Sequence, residues 1–220
     1  MRKSHYLEGK REGVKTVSPI YPSLKRTIDL IVSLSLLIFL APLLVLFALA
    51  IVCTAGRPIL FKQTRMGTDK RKFEIWKFRT MGNEENAKTL HAYDWSDGVP
   101  NNFFFEKPTV QKITKIGKVY RKLSIDELPQ LVNVLRGDMS LVGPRPEMIE
   151  ISNLYNERQA TRLTVKPGIT GYAQVNGRSA ITHGEKIEHD LYYVENRSLM
   201  MDIKIILKTI VLVIRGKEAY

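Results

Sequence analysis

The chain has 220 residues, with 34 Lys and Arg against 22 Asp and Glu, a formal net charge of +12. Hydrophobic residues at 44% and charged residues at 25% exclude an intrinsically disordered chain. A single Cys excludes an internal disulfide framework and a multi-thiolate metal site.

In chain order, residues 1–24, with Gly9, Gly13, Pro19 and Pro22, read as a loosely ordered basic arm that is dispensable for chemistry. Residues 25–56 read as a membrane element. From Leu30 to Gly56 the thiol of Cys53 is the only ionisable side chain, and a packing role is expected for it. Residues 1–29 carry seven basic and three acidic side chains, residues 57–79 eight and two, and residues 80–220 nineteen and seventeen. The basic excess therefore forms a collar around the apolar run. That placement points to anionic lipid headgroups and not to nucleic acid.

Leu30 to Cys53, taken as a helix, extends about 36 Å, enough to cross a bilayer. Pro42 stands at its midpoint, where the missing N–H and the clash with the preceding turn predict a break or kink. Lys and Arg flank both ends, and cytoplasmic flanks attract such residues. A helix that enters, bends at Pro42 and leaves by the same face satisfies both observations. A kinked single span is the alternative, since Pro is tolerated in spanning helices.

Residues 57–220 read as one compact domain, so that the whole is mainly α with a few short strands. Ile59–Gly67 and Phe73–Met81 alternate as strands around a turn at Gly67, and Asn83–Leu90 reads as a short helix. Residues 91–111 read as an irregular surface segment that includes Phe103, Phe104 and Phe105. Helices are predicted at Ile113–Lys122, Ile125–Leu135, Glu147–Leu163, His183–Val194 and Met201–Ile214, the last amphipathic enough to lie on a membrane surface. The stretch 163–178 reads as a Gly-rich turn region with short strand pieces.

Neither GxxxxGK[ST] nor GxGxxG is present, and His5, His91, His183 and His189 do not have metal-ligand spacing. Carboxylate and guanidinium chemistry remains. Asp126 and Glu127 are adjacent in RKLSIDELPQL, and the alternative to a chemical role is a capping box opened by Ser124 and closed by Glu127. In VGPRPE, Pro144 and Pro146 fix the backbone on both sides of Arg145, which suits bidentate phosphate recognition. A turn whose Arg pairs with a local acid is the competing reading. Lys77, Arg79 and Arg178 are further phosphate candidates, each an ordinary surface charge if taken singly.

Together KRTIDL, the Pro-containing apolar helix, KFRTM, SIDELPQLVNVLRGDMSLVGPRPE and KPGITGYAQVNGR resemble the bacterial sugar transferases, the monotopic polyprenol-phosphate phosphoglycosyl transferases. The resemblance runs from about Lys25 to the end of the chain, which looks like the minimal catalytic form without an added multi-span region. It implies transfer of a sugar-1-phosphate from a UDP-sugar to polyprenol phosphate, typically undecaprenyl phosphate, with release of UMP. It further implies Mg2+, an aspartyl-phosphosugar intermediate, and work at the cytoplasmic face of the bacterial inner membrane in the first step of exopolysaccharide, capsule, O-antigen or glycoprotein glycan synthesis. A homo-oligomer and contact with downstream glycosyltransferases fit the same picture.

Carried over by motif, the resemblance makes Asp126 the nucleophile and a metal ligand. Glu127 becomes its assistant, in acid/base work or the metal shell, and Arg121 and Arg145 match phosphate-binding positions, with Lys77 beside them. Ala41-Pro42 stands where many small members have Ser-Pro, so a freed carbonyl lacks that hydroxyl partner. A membrane-tethered binding or scaffold protein without turnover is the alternative from another functional class.

Overall fold

The structure is a computed structural model of the chain and describes residues 18–82, 95, 98–104, 113–177 and 180–215. Fifteen elements follow in order, and among the described residues they are mainly helical with four short strands. The expected helix at 83–90 and the expected phosphate ligand Arg178 lie outside the described residues, as do residues 1–17 of the basic arm.

Helix α1, Tyr21–Ala55, starts four residues before the expected boundary, because Pro22 fits the first turn, where no N–H is needed. It continues as helix through Pro42, so the residue does not end the element. Loss of one donor is local, and hydrogen bonds on either side carry the helix on. Most of its apolar side chains are exposed, Phe39 at 81% among them, as a lipid-facing helix requires. Cys53 is exposed too, and so does not pack in the domain as expected.

Both ends of α1 are fastened to the folded domain. Near the start, Lys25 Nζ donates to Asp202 at 2.7 Å, Arg26 donates to the carbonyls of Val134 and Leu135, and buried Asp29 accepts from Leu141 N at 3.1 Å. Near the end, Ile51 is fully buried against Phe78 and Tyr120, and the Tyr120 hydroxyl donates to Phe47 O at 2.9 Å. Gly56 closes the helix in a positive-φ conformation, at φ 69°, with its N–H on Val52 O.

Strands β1, Leu60–Met66, and β2, Lys72–Phe78, form the predicted antiparallel hairpin, with Gln63 opposite Ile75. Helix α2, Lys115–Lys122, leads through a 3-10 turn at Ile125–Glu127 into α3, Gln130–Arg136. One long helix from Ile125 was expected. Pro129 instead heads α3, and Ser124 in the left-handed region at φ 55° turns the chain beforehand.

Strand β3, Ser140–Val142, pairs in parallel with β4, Gly168–Thr170. The crossover holds α4, Ile149–Ser152, and α5, Glu157–Ala160, with a 3-10 turn at Thr161–Thr164. The single helix expected over this stretch is split because Asn156 opens α5 with a capping box of its own. A short helix α6, Tyr172–Asn176, was not foreseen in the Gly-rich region. Helices α7, His183–Asn196, and α8, Leu199–Ile214, follow close to prediction. Tyr193, Val194 and Ile205 from these two helices pack on Val142 as one buried cluster.

Candidate active site

Three segments converge on the Asp126-Glu127 turn. Period-2 alternation puts Ile75 and Lys77 on one face of β2, and Ile75 packs against Val134 of α3. Lys77 Nζ then meets Glu127 Oε1 at 2.8 Å. The loop after β3 supplies Arg145, whose Nη2 donates to the same oxygen at 2.8 Å. Pro144 and Pro146 are buried while Arg145 between them is exposed, the rigid presentation the tripeptide predicts.

This loop depends on close backbone approach. A Cβ on Gly168 would lie 2.1 Å from Gly143 N, and one on Gly143 would lie 2.3 Å from Lys166 O. Gly168 N donates to Pro144 O and Gly143 N to Thr170 O, both at 2.9 Å, which fixes the start of the Arg145 loop.

The capping-box reading of Ser124 and Glu127 is overturned. The Ser124 side chain caps nothing, and the Glu127 carboxylate has turned to Lys77 and Arg145. Burial pushes the Glu127 carboxyl up, but Arg145 and Lys77 outweigh it and hold the group well below the usual carboxylate range. Asp126 behaves in the opposite way. Burial first, and the charge of Glu127 second, raise its pKa to about 6 against the pull of Lys77, Arg145 and Arg121. The pair therefore holds one firm negative charge, on Glu127, beside a more basic Asp126. No side-chain hydrogen bond occupies Asp126 among the described residues.

Arg121 lies at the same turn, its Nε donating to Thr80 Oγ1 at 2.9 Å. Arg79 is placed elsewhere. It is buried, with Nη1 on Arg57 O at 2.8 Å and Nη2 on Gly56 O at 2.7 Å and on Ala55 O. The phosphate role expected for Arg79 gives way to a structural one, because the end of α1 leaves carbonyls that need donors.

Beneath Arg145 lies a charged cluster that sequence reasoning missed. Arg162 is fully buried; its Nη2 donates to Asp190 Oδ2 at 2.5 Å and to Arg145 O at 2.9 Å, and its Nη1 donates to the Tyr155 hydroxyl at 2.5 Å. Glu147 Oε2 lies 3.5 Å from Arg162 and 3.8 Å from Lys186. In the sequence these residues are scattered helix charges. Only Glu147, closing the Pro-Arg-Pro-Glu run, carried a signal.

His183, buried at the start of α7, borders this cluster, with its ring 6.0 Å from that of Tyr155. Burial holds its imidazole down at about 4. The unfolded chain takes up this proton near pH 6.5 and the folded chain only near 4. The stability His183 contributes is thus full above pH 6.5 and lost as pH falls toward 4. Asp126, shifted upward, works the other way over part of the window, so a comparison with His183→Gln isolates the histidine. Thermal midpoints of that variant should fall less steeply between pH 6.5 and 4.5 than those of the parent chain; parallel curves would refute the assignment.

Two adjacent carboxylates, two cations on one of them and a third cation at the turn make an arrangement that can receive a diphosphate and attack it. The pattern that defines the bacterial sugar transferases matches residues 20–216. The chain belongs to the bacterial sugar transferase family. That membership makes it an enzyme, as expected, and sets aside the non-catalytic alternative.

Among curated relatives, the protein of Bacillus subtilis (strain 168) named uncharacterized sugar transferase EpsL is 45% identical over 188 residues, 85% of either chain. A Caulobacter vibrioides protein named UDP-glucose:undecaprenyl-phosphate glucose-1-phosphate transferase is 38% identical over 204 residues, 89% of this chain and 72% of its own. An Escherichia coli (strain K12) protein of the same name is 37% identical over 205 residues. This chain spans 90% of itself in that match but only 41% of the E. coli protein.

Proposed function

We propose that this family member transfers a sugar-1-phosphate from a UDP-sugar to polyprenol phosphate, undecaprenyl phosphate in particular, in two steps through Asp126. An Asp126 oxygen attacks the β-phosphorus, and the bond from that phosphorus to the bridging oxygen breaks so that UMP departs. An oxygen of the polyprenol phosphate then attacks the same phosphorus. The bond between that phosphorus and the Asp126 oxygen breaks, the carboxylate is regenerated and polyprenyl diphosphate-sugar leaves. The observation that carries this reading is the division of labour in the pair, with Glu127 neutralised by Lys77 and Arg145 and Asp126 left open beside it.

Each residue has a task that follows from its position. Asp126, with its pKa raised to about 6, is still mostly ionised at neutral pH and is more nucleophilic than an ordinary Asp. Glu127, held ionised, is a poor proton donor at that pH and serves to aim Lys77 and Arg145 at the incoming phosphates. Arg145 and Arg121 compensate charge as it develops on the departing UMP.

The donor set also fits Mg2+ of the kind completed by substrate phosphates, since one or two carboxylates suffice for such a site. Asp126 would hold the ion with the diphosphate oxygens, and when bound it would neutralise phosphate charge. Among the described residues no group of three or more candidate ligands exists, which argues against a closed all-protein metal cage.

We further propose that α1 is re-entrant. Its first turns are bonded to α3, β3 and α8, and its last turns pack on α2 and β2, while the middle around Phe39 is exposed. A crossing helix would leave a hydrocarbon slab of about 30 Å between its ends, and one folded domain cannot hold both. The arrangement supports a monotopic enzyme on the cytoplasmic face of the inner membrane. In a Cys53→Ser background, Ser23→Cys and Arg71→Cys should be labelled by an impermeant thiol reagent from the same side. Labelling from opposite sides would restore a crossing helix.

The function is tested by UMP release from a panel of UDP-sugars with undecaprenyl phosphate and Mg2+. One sugar should give turnover that depends on both additions, and the panel names it. No release with any sugar would refute the proposal.

A further inference from the structure

Strand β2 is paired by β1 along one edge, and its other edge meets α3. The side chain of Asn133 on α3, fully buried, closes that edge. Its Oδ1 accepts from Trp76 N at 3.1 Å and its Nδ2 donates to Glu74 O at 2.7 Å. A carboxamide offers the same donor and acceptor as a peptide group, so Asn133 stands in for one residue of a missing third strand. The bridged groups flank Ile75, two residues before Lys77.

Asn133 is bonded a second way. Its own carbonyl accepts from Gly137 N at 3.1 Å, Asp138 N at 3.0 Å and Met139 N at 3.3 Å, the turn that leads from α3 into β3. One residue thus joins the strand that carries Lys77, the helix that follows Asp126 and Glu127, and the turn into β3, whose following loop carries Arg145. Lys77 and Arg145 converge on a single oxygen of Glu127. Such convergence tolerates little relative movement of their supports.

We propose that Asn133 is a positioning residue for the transfer reaction, which sets the register of β2 against α3 and thereby holds Lys77 on Glu127. The inference rests on the catalytic reading of the Asp126 turn. Its amide hydrogen bonds act on Lys77 through the backbone, so loss of the amide is felt as misplacement of the ammonium. Misplacement by about 1 Å costs on the order of 100-fold in turnover when a group acts in the transition state.

The test is a double-mutant cycle on the full chain in lipid nanodiscs, with rates expressed per folded protein. Asn133→Ala and Asn133→Asp are each made with Lys77 present and with Lys77→Met, and UMP release is followed. With Lys77 present, either substitution should lower kcat by about 10- to 100-fold with KM changed by less than about threefold. In the Lys77→Met background the further loss should shrink to less than about threefold, because the group being positioned is gone.

Equal losses in both backgrounds would make Asn133 a stability residue only and overturn the proposal. If Lys77→Met alone retained full turnover, the reading of the site itself would fall, a different result from failure of the cycle. Hydrogen exchange on the unsubstituted chain supplies a check that needs no variant to fold. The Trp76 amide should be as protected as the amides that pair β1 with β2, and rapid exchange would overturn the proposal.

Discussion

Asp126→Asn should lower UMP release by at least about 1,000-fold, because in the proposed mechanism a carboxamide cannot displace UMP and form the acyl-phosphate adduct. Among the described residues the Asp126 side chain makes no hydrogen bond, so the variant should fold as the parent does, with a thermal midpoint within a few degrees. Intact-mass measurement after quenching with UDP-sugar alone should show a phosphosugar adduct on the parent chain and none on the variant. Normal turnover in Asp126→Asn would remove the nucleophile assignment. An adduct that persists in the variant would place the covalent bond on another residue.

The second large effect is on stability. Arg162→Met leaves Asp190 and Glu147 buried without their shared cation and takes a donor from Arg145 O. Breaking a buried pair on one side costs about 3–5 kcal/mol. For a domain of this size that corresponds to a fall of roughly 10 °C in the thermal midpoint. Arg162→Met combined with Asp190→Leu should recover part of the loss, since an apolar replacement of both partners leaves less unpaired charge. Calorimetry of the three proteins decides it, and an Arg162→Met midpoint within about 2 °C of the parent would refute the account. Turnover should fall even in the recovered pair, because the Arg145 loop no longer has its buried support.

Much of this was legible because certain residues constrain the chain locally. The Pro-Arg-Pro run could be read as a rigid guanidinium mount from proline geometry alone, and two buried prolines around an exposed Arg145 are what the structure has. The β1–β2 hairpin followed from alternation and a Gly67 turn. The Asp-Glu pair was visible but ambiguous, since a capping box and a catalytic dyad share residue types. The direction taken by the Glu127 side chain removes the capping box, and that direction is set by Lys77, fifty residues away.

Where the reading failed, long-range pairing was the reason. Arg79 belongs to KFRTM and carries the same charge as Lys77, but it lies just past the end of β2, where the end of α1 captures it, while Lys77 within the strand reaches Glu127. Nothing local in the sequence announces that Arg162, Asp190, Glu147 and Lys186 meet. Asn133 likewise carries no local sign of its bonds to β2.

The anchorage of α1 at both ends has a consequence for how the enzyme can be handled. Asp202, buried, takes hydrogen bonds from Tyr21, Lys25 and Tyr193, and Arg26 supplies donors to the final carbonyls of α3. Removing the apolar helix would strip three of those four side chains from the domain and expose the Phe78 and Tyr120 surface that Ile51 covers. The helix is thus no detachable tether, and a water-soluble fragment beginning after Gly56 should not retain the native fold. Reconstitution has to keep lipid or detergent around α1, since the part that meets the membrane is also a wall of the domain.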